Sequence, residues 1–428
     1  MTLAAILVAM ILVLLTGIPI FAGLGLTAIG VELLAEGRLG GIGDVVFGKL
    51  DSYLLVAIPL FALMAHVMIK AKVVDDLYGT AHTFVRHWPG GLAVATVLSC
   101  TVFAAIAGSS VATALTIGSA AIPQMLRYGY RDRVAYGVVA AGGTLGILIP
   151  PSGPMVLYGV VSDTSIGALF MAGVVPGLLL SALLCAFCVV QAMVTGGGQA
   201  LPRSGWGERL AALRKAFWAL ILPPLVLGGM YFGVFTATEA AAVGAILALA
   251  IAAFVYRNFG WADLYHAAVD TARTTSMLFL ILAAAAIFGH VLTVLRIPAE
   301  LVALVVEAGV SPLQFLLAVM AVIFVLGMFL ETISIILITT PIVLPVLVAL
   351  KIDPVWYGIL LTINLELALI TPPVGMNLFV IKSIAEAPMS RVIAGVLPHV
   401  LLIILGLAVL MAFPQLALWL PQSMALGR

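Results

Sequence analysis

The chain has 428 residues, of which 64% are hydrophobic and only 9% charged, and its formal net charge is +1. An average soluble domain carries about 25% charged residues, so this composition excludes a soluble globular protein, and the balanced charge offers no field for nucleic acid. Apolar stretches of about 17 to 25 residues recur from end to end, long enough for helices to cross a hydrocarbon core of about 30 Å.

In chain order, the first apolar run, Leu3 to Leu15, has no Lys or Arg before it and no clean small-residue cleavage site, so it is expected not to be a signal peptide. Breaks at Gly17-Ile18-Pro19 and at Thr236-Ala237-Thr238-Glu239 predict paired first helices in two halves, at about 3 to 16 and 18 to 34, then about 217 to 235 and 238 to 256. Short amphipathic stretches (about 38 to 51, about 257 to 273) each precede a spanning segment (about 52 to 71, about 274 to 295). Two apolar arms divided by a small or polar tip follow in each half. The first pair covers 89–126 around Ala107-Gly108-Ser109-Ser110, and the second 311–350 around Phe329-Leu330-Glu331-Thr332. A segment broken at Pro-Pro (131–160 and 354–381) and a last span (171–195 and 392–420) complete each half. The polar stretch 196–215 is a linking loop, with room for a short surface helix. The expected units are therefore 1–215 and 216–428.

The halves match at an offset of 222 residues. Ile149-Pro150-Pro151-Ser152-Gly153 reappears as Thr371-Pro372-Pro373-Val374-Gly375, and Ala172-Gly173-Val174-Val175-Pro176 as Ala394-Gly395-Val396-Leu397-Pro398. With a slip of one or two residues, His66 pairs with His290. About five crossings plus one hairpin per half is an odd count, which inverts the second copy relative to the first. Basic loops agree. Arg127, Arg131 and Arg133 follow the first hairpin where only Lys351 follows the second, whereas the loop Val160 to Leu169 has no basic residue and its counterpart has Lys382 and Arg391. The positive-inside rule makes 127–133, 196–215, 257–273 and 382–391 cytoplasmic and both termini external; one helix in place of two before about residue 35 moves the N-terminus inside and leaves the hairpins as assigned. Repeated hydrophobic segments interrupted by Pro and Gly at matching positions point to the binding site of a secondary transporter.

Inside a bilayer, backbone groups freed by Pro or Gly must line a cavity or meet another ligand. The first break offers carbonyls of Gly142, Gly143 and Ile149 with the hydroxyls of Thr144 and Ser152, and the facing tip offers Ser109, Ser110 and Thr113. The second offers Thr371, Gly375 and Asn377, facing Glu331, Thr332 and Ser334. The hard oxygens of the first set, without a fixed carboxylate, suit a monovalent cation such as Na⁺, and half-helix N-termini attract anions. The alternative reading is packing or self-bonding of small polar residues. Glu331 is the sharpest candidate because an intramembrane carboxylate is functional by default; its structural alternative is an acceptor for the free amides of its tip. Glu239, Glu366 and His399 lie in or beside apolar stretches and receive no role, nor does loop residue Asp163, while His66 and His290 read as structural groups near an interface. Cys185-Ala186-Phe187-Cys188 reads as two small residues one turn apart, with no second ligand pair for a metal.

Four stretches resemble one family: the tip Gly108-Ser109-Ser110-Val111-Ala112-Thr113; the break from Gly146 to Pro150-Pro151-Ser152; Gly327-Met328-Phe329-Leu330-Glu331 with Pro341 and Pro345; and Thr371-Pro372-Pro373-Val374-Gly375-Met376-Asn377. They are similar to the large membrane (M) subunit of tripartite ATP-independent periplasmic (TRAP) transporters, the DctM family, and the resemblance covers the whole chain. Thr236 to Gly244 also matches, with Ala237 where a Pro is common. The resemblance implies an all-α polytopic protein of the bacterial inner membrane. Its inverted repeats would form a scaffold (1–71 and 217–295) and a moving part made of the hairpins and broken helices, acting as a Na⁺-coupled elevator. It implies Na⁺ at the tips and breaks, here Ser109, Gly142, Thr144, Ile149, Glu331, Thr332, Thr371 and Gly375, with substrate between them on Ser110, Thr113, Ser152 and Asn377. It also implies two partners: a small four-helix membrane (Q) subunit, expected to be separate, and a periplasmic binding protein that delivers a carboxylate-bearing solute. A self-sufficient Na⁺/organic-anion symporter of similar architecture is the alternative. No H-E-x-x-H, G-x-S-x-G or P-loop motif is present, so an enzyme is not expected, and two discrete breaks favour an occluded site over a channel.

Overall fold

The computed structural model describes residues 3–37, 39–196 and 200–424. Its first half runs α1 (Leu3–Leu15), α2 (Ile20–Glu36), α3 (Ile42–Leu50), α4 (Ala57–Lys70), α5 (Val73–Val85), α6 (Gly91–Ala107), α7 (Ser110–Arg127), α8 (Asp132–Leu148), α9 (Gly153–Ser162) and α10 (Ile166–Thr195). The second runs α11 (Trp206–Tyr231), α12 (Ala237–Ala250), α13 (Trp261–Val294), α14 (Ile297–Glu307), α15 (Pro312–Gly327), α16 (Thr332–Ala349), α17 (Pro354–Leu369), α18 (Met376–Ala385), α19 (Met389–Ala412) and α20 (Gln415–Gln422). A 3₁₀ turn, Tyr53–Val56, leads into α4, and a π-helical turn, Ile251–Tyr256, ends α12. Among the described residues, eight helical segments are long and apolar enough to cross a membrane.

Local chemistry sets the breaks. Gly17 at φ 81° and Pro19 separate α1 from α2. Gly233 at φ 72° stops the chain after α11, and Thr236 starts α12 with a capping box: its hydroxyl accepts from the Glu239 amide while Glu239 Oε2 accepts from the Thr236 amide at 2.9 Å. Glu239 is thereby explained as a cap. Asp163 takes the left-handed position that ends α9, at φ 52°.

Helices that are apolar on every side belong in a core, and α8 and α17 fill that place. Every residue of α8 from Ala135 to Leu148 is buried, as is every residue of α17 from Tyr357 to Leu369. The small residues of α8 let its neighbours close in: α6, α7 and α19 all pack on it. The crossing with α19 is a glycine pair, since a Cβ on Gly137 would overlap the Gly395 carbonyl and one on Gly395 would overlap the Arg133 carbonyl. Tyr158 Oη donates to the Pro354 carbonyl at 2.7 Å and ties the end of α9 to the start of α17. The two halves interlock through their broken helices.

The structure departs from the sequence reading in several places. From Trp261 to Val294 the stretch 257–273 and the span 274–295 merge into one continuous 34-residue helix, α13, whereas the first half keeps the division, with α3 ending before Asp51 and Ser52. No Pro or Gly occurs from Trp261 to Phe288, and Gly289 is the first glycine of α13, so nothing ends the helix early. Residues 72–88 and 296–310, left as connections by the sequence, contain α5 and α14; α5 buries Val73, Val74, Leu77 and Tyr78 on one face and is too short and polar to read as a span. The linking loop is shorter than 196–215 because α11 already begins at Trp206, and the last span stops at Ala412, leaving α20 as a separate helix beyond Pro414.

Candidate functional site

The first hairpin turns at Gly108, in the left-handed region at φ 57°, and Ser109, whose hydroxyl caps α7 by accepting from the Ala112 amide. Glycines let this tip sit directly on the first break. A Cβ on Gly108 would stand 2.7 Å from the Pro151 carbonyl, one on Gly146 2.5 Å from the Ser109 carbonyl, and one on Gly143 2.7 Å from Ala114 Cβ. The second tip meets the second break through the Val374 amide, which donates to the Met328 carbonyl at 3.2 Å. Asn364 Nδ2 donates to the Met320 carbonyl at 2.8 Å and holds α15 against α17. Both breaks carry a cis bond, Pro150-Pro151 and Pro372-Pro373.

At the centre, one buried polar network joins the halves. Asn377 Nδ2 donates to Ser110 Oγ at 2.9 Å, and the single Ser110 proton lies between the Gly143 carbonyl (3.0 Å) and Glu366 Oε2 (3.1 Å). Glu366 Oε1 accepts from the Ile147 amide at 3.1 Å. Ile147 N–H and the Gly143 carbonyl are regular partners in an α-helix, and here both also reach outside their helix. Ser110, Glu366 and Asn377 are 2% exposed or less, so each lost bond strands a polar group in a medium where it costs about 1–3 kcal/mol. Asn377 Oδ1 has no hydrogen-bond partner among the described residues.

Beside this network lies a cavity of about 280 Å³ between the tips and the arm helices α4 and α13. Ser109, Ser110, Glu331 and Thr332 line it from the tips, and Phe61, His66, Thr274 and Met277 from the arms. Glu331 precedes α16 without making a side-chain cap bond, and no Lys, Arg or His among the described residues stands within ion-pair distance of it. The structure therefore leaves an unpaired carboxylate at the cavity wall.

The remaining sequence candidates are placed elsewhere. Thr113 Oγ1 donates to the Ser109 carbonyl, Thr144 Oγ1 to the Ala141 carbonyl and Thr371 Oγ1 to the Leu367 carbonyl, each within its own helix turn. Ser152 caps α9 by accepting from the Met155 amide. Gly142 faces Cys100, where a Cβ would lie 2.9 Å from Sγ, and Ile149 lines a separate apolar groove against α10 and α11. Gly375, at φ 57°, gives its carbonyl to the Leu378 amide at the start of α18. Glu366 is the residue sequence reasoning passed over. Its signal was present, a carboxylate inside the apolar run Leu365-Glu366-Leu367, but its partners come from α7 and α8, more than 200 residues away.

Comparison with known proteins assigns the family. The model of the tripartite ATP-independent periplasmic transporter, DctM component, matches residues 7–416. The C4-dicarboxylate TRAP transporter large permease protein DctM of Pseudomonas aeruginosa is 41% identical over 94% of this chain and 95% of its own length. The isethionate TRAP transporter permease protein DctMQ of Oleidesulfovibrio alaskensis is 37% identical over 94% of this chain, which spans 63% of that longer protein. Among solved structures, the YdaH transporter of Alcanivorax borkumensis matches with a TM-score of 0.61 over 91% of this chain and 89% of that one, at 14% identity, a likeness of fold alone. Two hairpin tips seated on two Pro-Pro breaks, among helices of membrane-spanning length, are thus the frame of a known transport component: the chain belongs to the DctM family, the large permease subunits of TRAP transporters, multi-pass proteins of the bacterial inner membrane and not enzymes.

Proposed function

We propose that this chain carries a carboxylate-bearing organic solute across the membrane, driven by a Na⁺ gradient, through an elevator movement of its hairpins and broken helices past its arm helices. The observation that carries the reading is the cavity between tips and arms, with the Glu331 carboxylate on its wall and the Asn377 oxygen in the network beside it, both without a partner among the described residues. Oxygen ligands at discontinuous helices suit Na⁺, and the half-helix N-termini of α9 and α18 suit an anion. The cavity walls come from two sets of elements, so moving one set past the other would carry the contents. The odd number of crossings per half and the reversed basic loops support inverted repeats. The family name itself speaks of three components; we assign the solute's delivery to a periplasmic binding protein and expect a small four-helix subunit beside the arms. The Pseudomonas relative is named for C4-dicarboxylates, which makes succinate the first solute to assay.

The test is uptake of labelled succinate by proteoliposomes containing this chain, the small subunit and the binding protein. Accumulation is expected only with all three components and an inward Na⁺ gradient. Full uptake by this chain alone in Na⁺-free buffer would overturn the reading in favour of a self-sufficient carrier.

A further inference from the structure

A second cavity lies along the same two helices as the hairpin cavity. α13 lends Leu278 to the first cavity and Leu282, Gly289 and His290 to the second, while α16 lends Ile333 to the first and Leu337 and Pro341 to the second. Steps of about four, eight and eleven residues keep to one helix face. At 1.5 Å per residue, the second cavity is centred about 10 to 15 Å further along these helices. It measures about 370 Å³.

Its charge differs from that of the first. Glu331 and His66 line the hairpin cavity, whereas Lys49 of α3 and His290 of α13 line the second, with no acid on its wall among the described residues. Lys49 Nζ gives one hydrogen to the Val160 carbonyl at 2.9 Å, which leaves two of its three donors. Behind the imidazole, Glu32 of α2 is 1% exposed, has no hydrogen-bond partner among the described residues and stands 3.8 Å from His290 Nε2. A cation with donors to spare, an imidazole backed by a carboxylate and a position on the same faces of α13 and α16 as the hairpin cavity describe a place where a carboxylate can wait.

We propose that this second cavity is a holding site for the carboxylate of the transported solute, with Lys49 as its charge partner and His290 as a further donor. The proposal rests on the reading of the protein as an organic-anion carrier, and its first test does not need transport. In an Ala286→Cys variant, whose cysteine lines the cavity, labelling rates are compared for an anionic and a cationic methanethiosulfonate reagent. Lys49→Gln is expected to lower the anionic-to-cationic rate ratio by about tenfold or more, and succinate, but not the same concentration of glycerol, is expected to slow labelling. In proteoliposomes, Lys49→Gln should raise the KM for uptake about tenfold with the Na⁺ half-saturation unchanged, and Lys49→Arg should stay near wild type. A rate ratio indifferent to Lys49, absent protection by succinate, or an unchanged KM would each overturn the holding site. Positive labelling results combined with uptake that ignores Na⁺ would leave this site standing and sink only the Na⁺ coupling.

Discussion

Glu366 shows how a single residue can hold a transporter's centre together. Its two oxygens accept from Ile147 of α8 and Ser110 of α7 while it sits on α17. Removing one partner of a buried bond leaves the others to bear the full desolvation cost, about 1–3 kcal/mol per stranded group. Glu366→Leu is therefore expected to lower the melting temperature of the detergent-solubilised protein clearly, and Glu366→Gln, which keeps an acceptor for Ile147, much less; equal losses would show that the network is not what the position requires. Ser109 and Ser110 divide differently, because the Ser109 hydroxyl caps its own helix at the cavity wall whereas Ser110 joins three elements. The double change Ser109→Ala with Ser110→Ala is expected to raise the Na⁺ half-saturation of uptake about tenfold, the scale of one lost charge-assisted contact. An unchanged Na⁺ response in a well-expressed double variant would remove these hydroxyls from the ion path.

At the scale of elements, the breaks and the glycine contacts do separate jobs. Pro372 and Pro373 remove two amide donors and interrupt the ladder between α17 and α18. Replacing both with Ala should let the helix run through, so that uptake is lost while the protein still inserts and melts as a folded unit; wild-type uptake would make the break decorative. Gly137 works by size alone. A side chain there would overlap the Gly395 carbonyl where α8 crosses α19, so Gly137→Val is expected to destabilise by at least the roughly 1–3 kcal/mol typical of overpacking, read as a drop in melting temperature or yield. Both breaks were legible because Pro and Gly act on their own backbone. The fusion of 261–294 into α13 and the presence of α5 were not, since amphipathic stretches of that length take their state from what they pack against.

For the whole molecule, the decisive question is whether the tips and breaks move past the arms. Gly289 of α13 and Pro341 of α16 face each other across that boundary, and a Cβ on Gly289 would lie 3.6 Å from Pro341 Cβ, within the roughly 3.5–4.5 Å range of a disulfide. The pair Gly289→Cys with Pro341→Cys is expected to cross-link on oxidation, stop uptake and recover on reduction; undiminished uptake by the cross-linked protein would exclude relative movement of α13 and α16. Membrane class, the duplication, the two Pro-Pro breaks and the two hairpin tips follow from the sequence by itself, because hydropathy, proline and glycine express themselves within one or two helical turns. The tertiary structure alone decided that Glu366 meets Ser110 across the halves, that Thr113, Thr144 and Thr371 bond within their own helices, and that Lys49 and His290 share a cavity. Those outcomes depend on which helix faces meet, and that is set by packing between segments far apart in the chain.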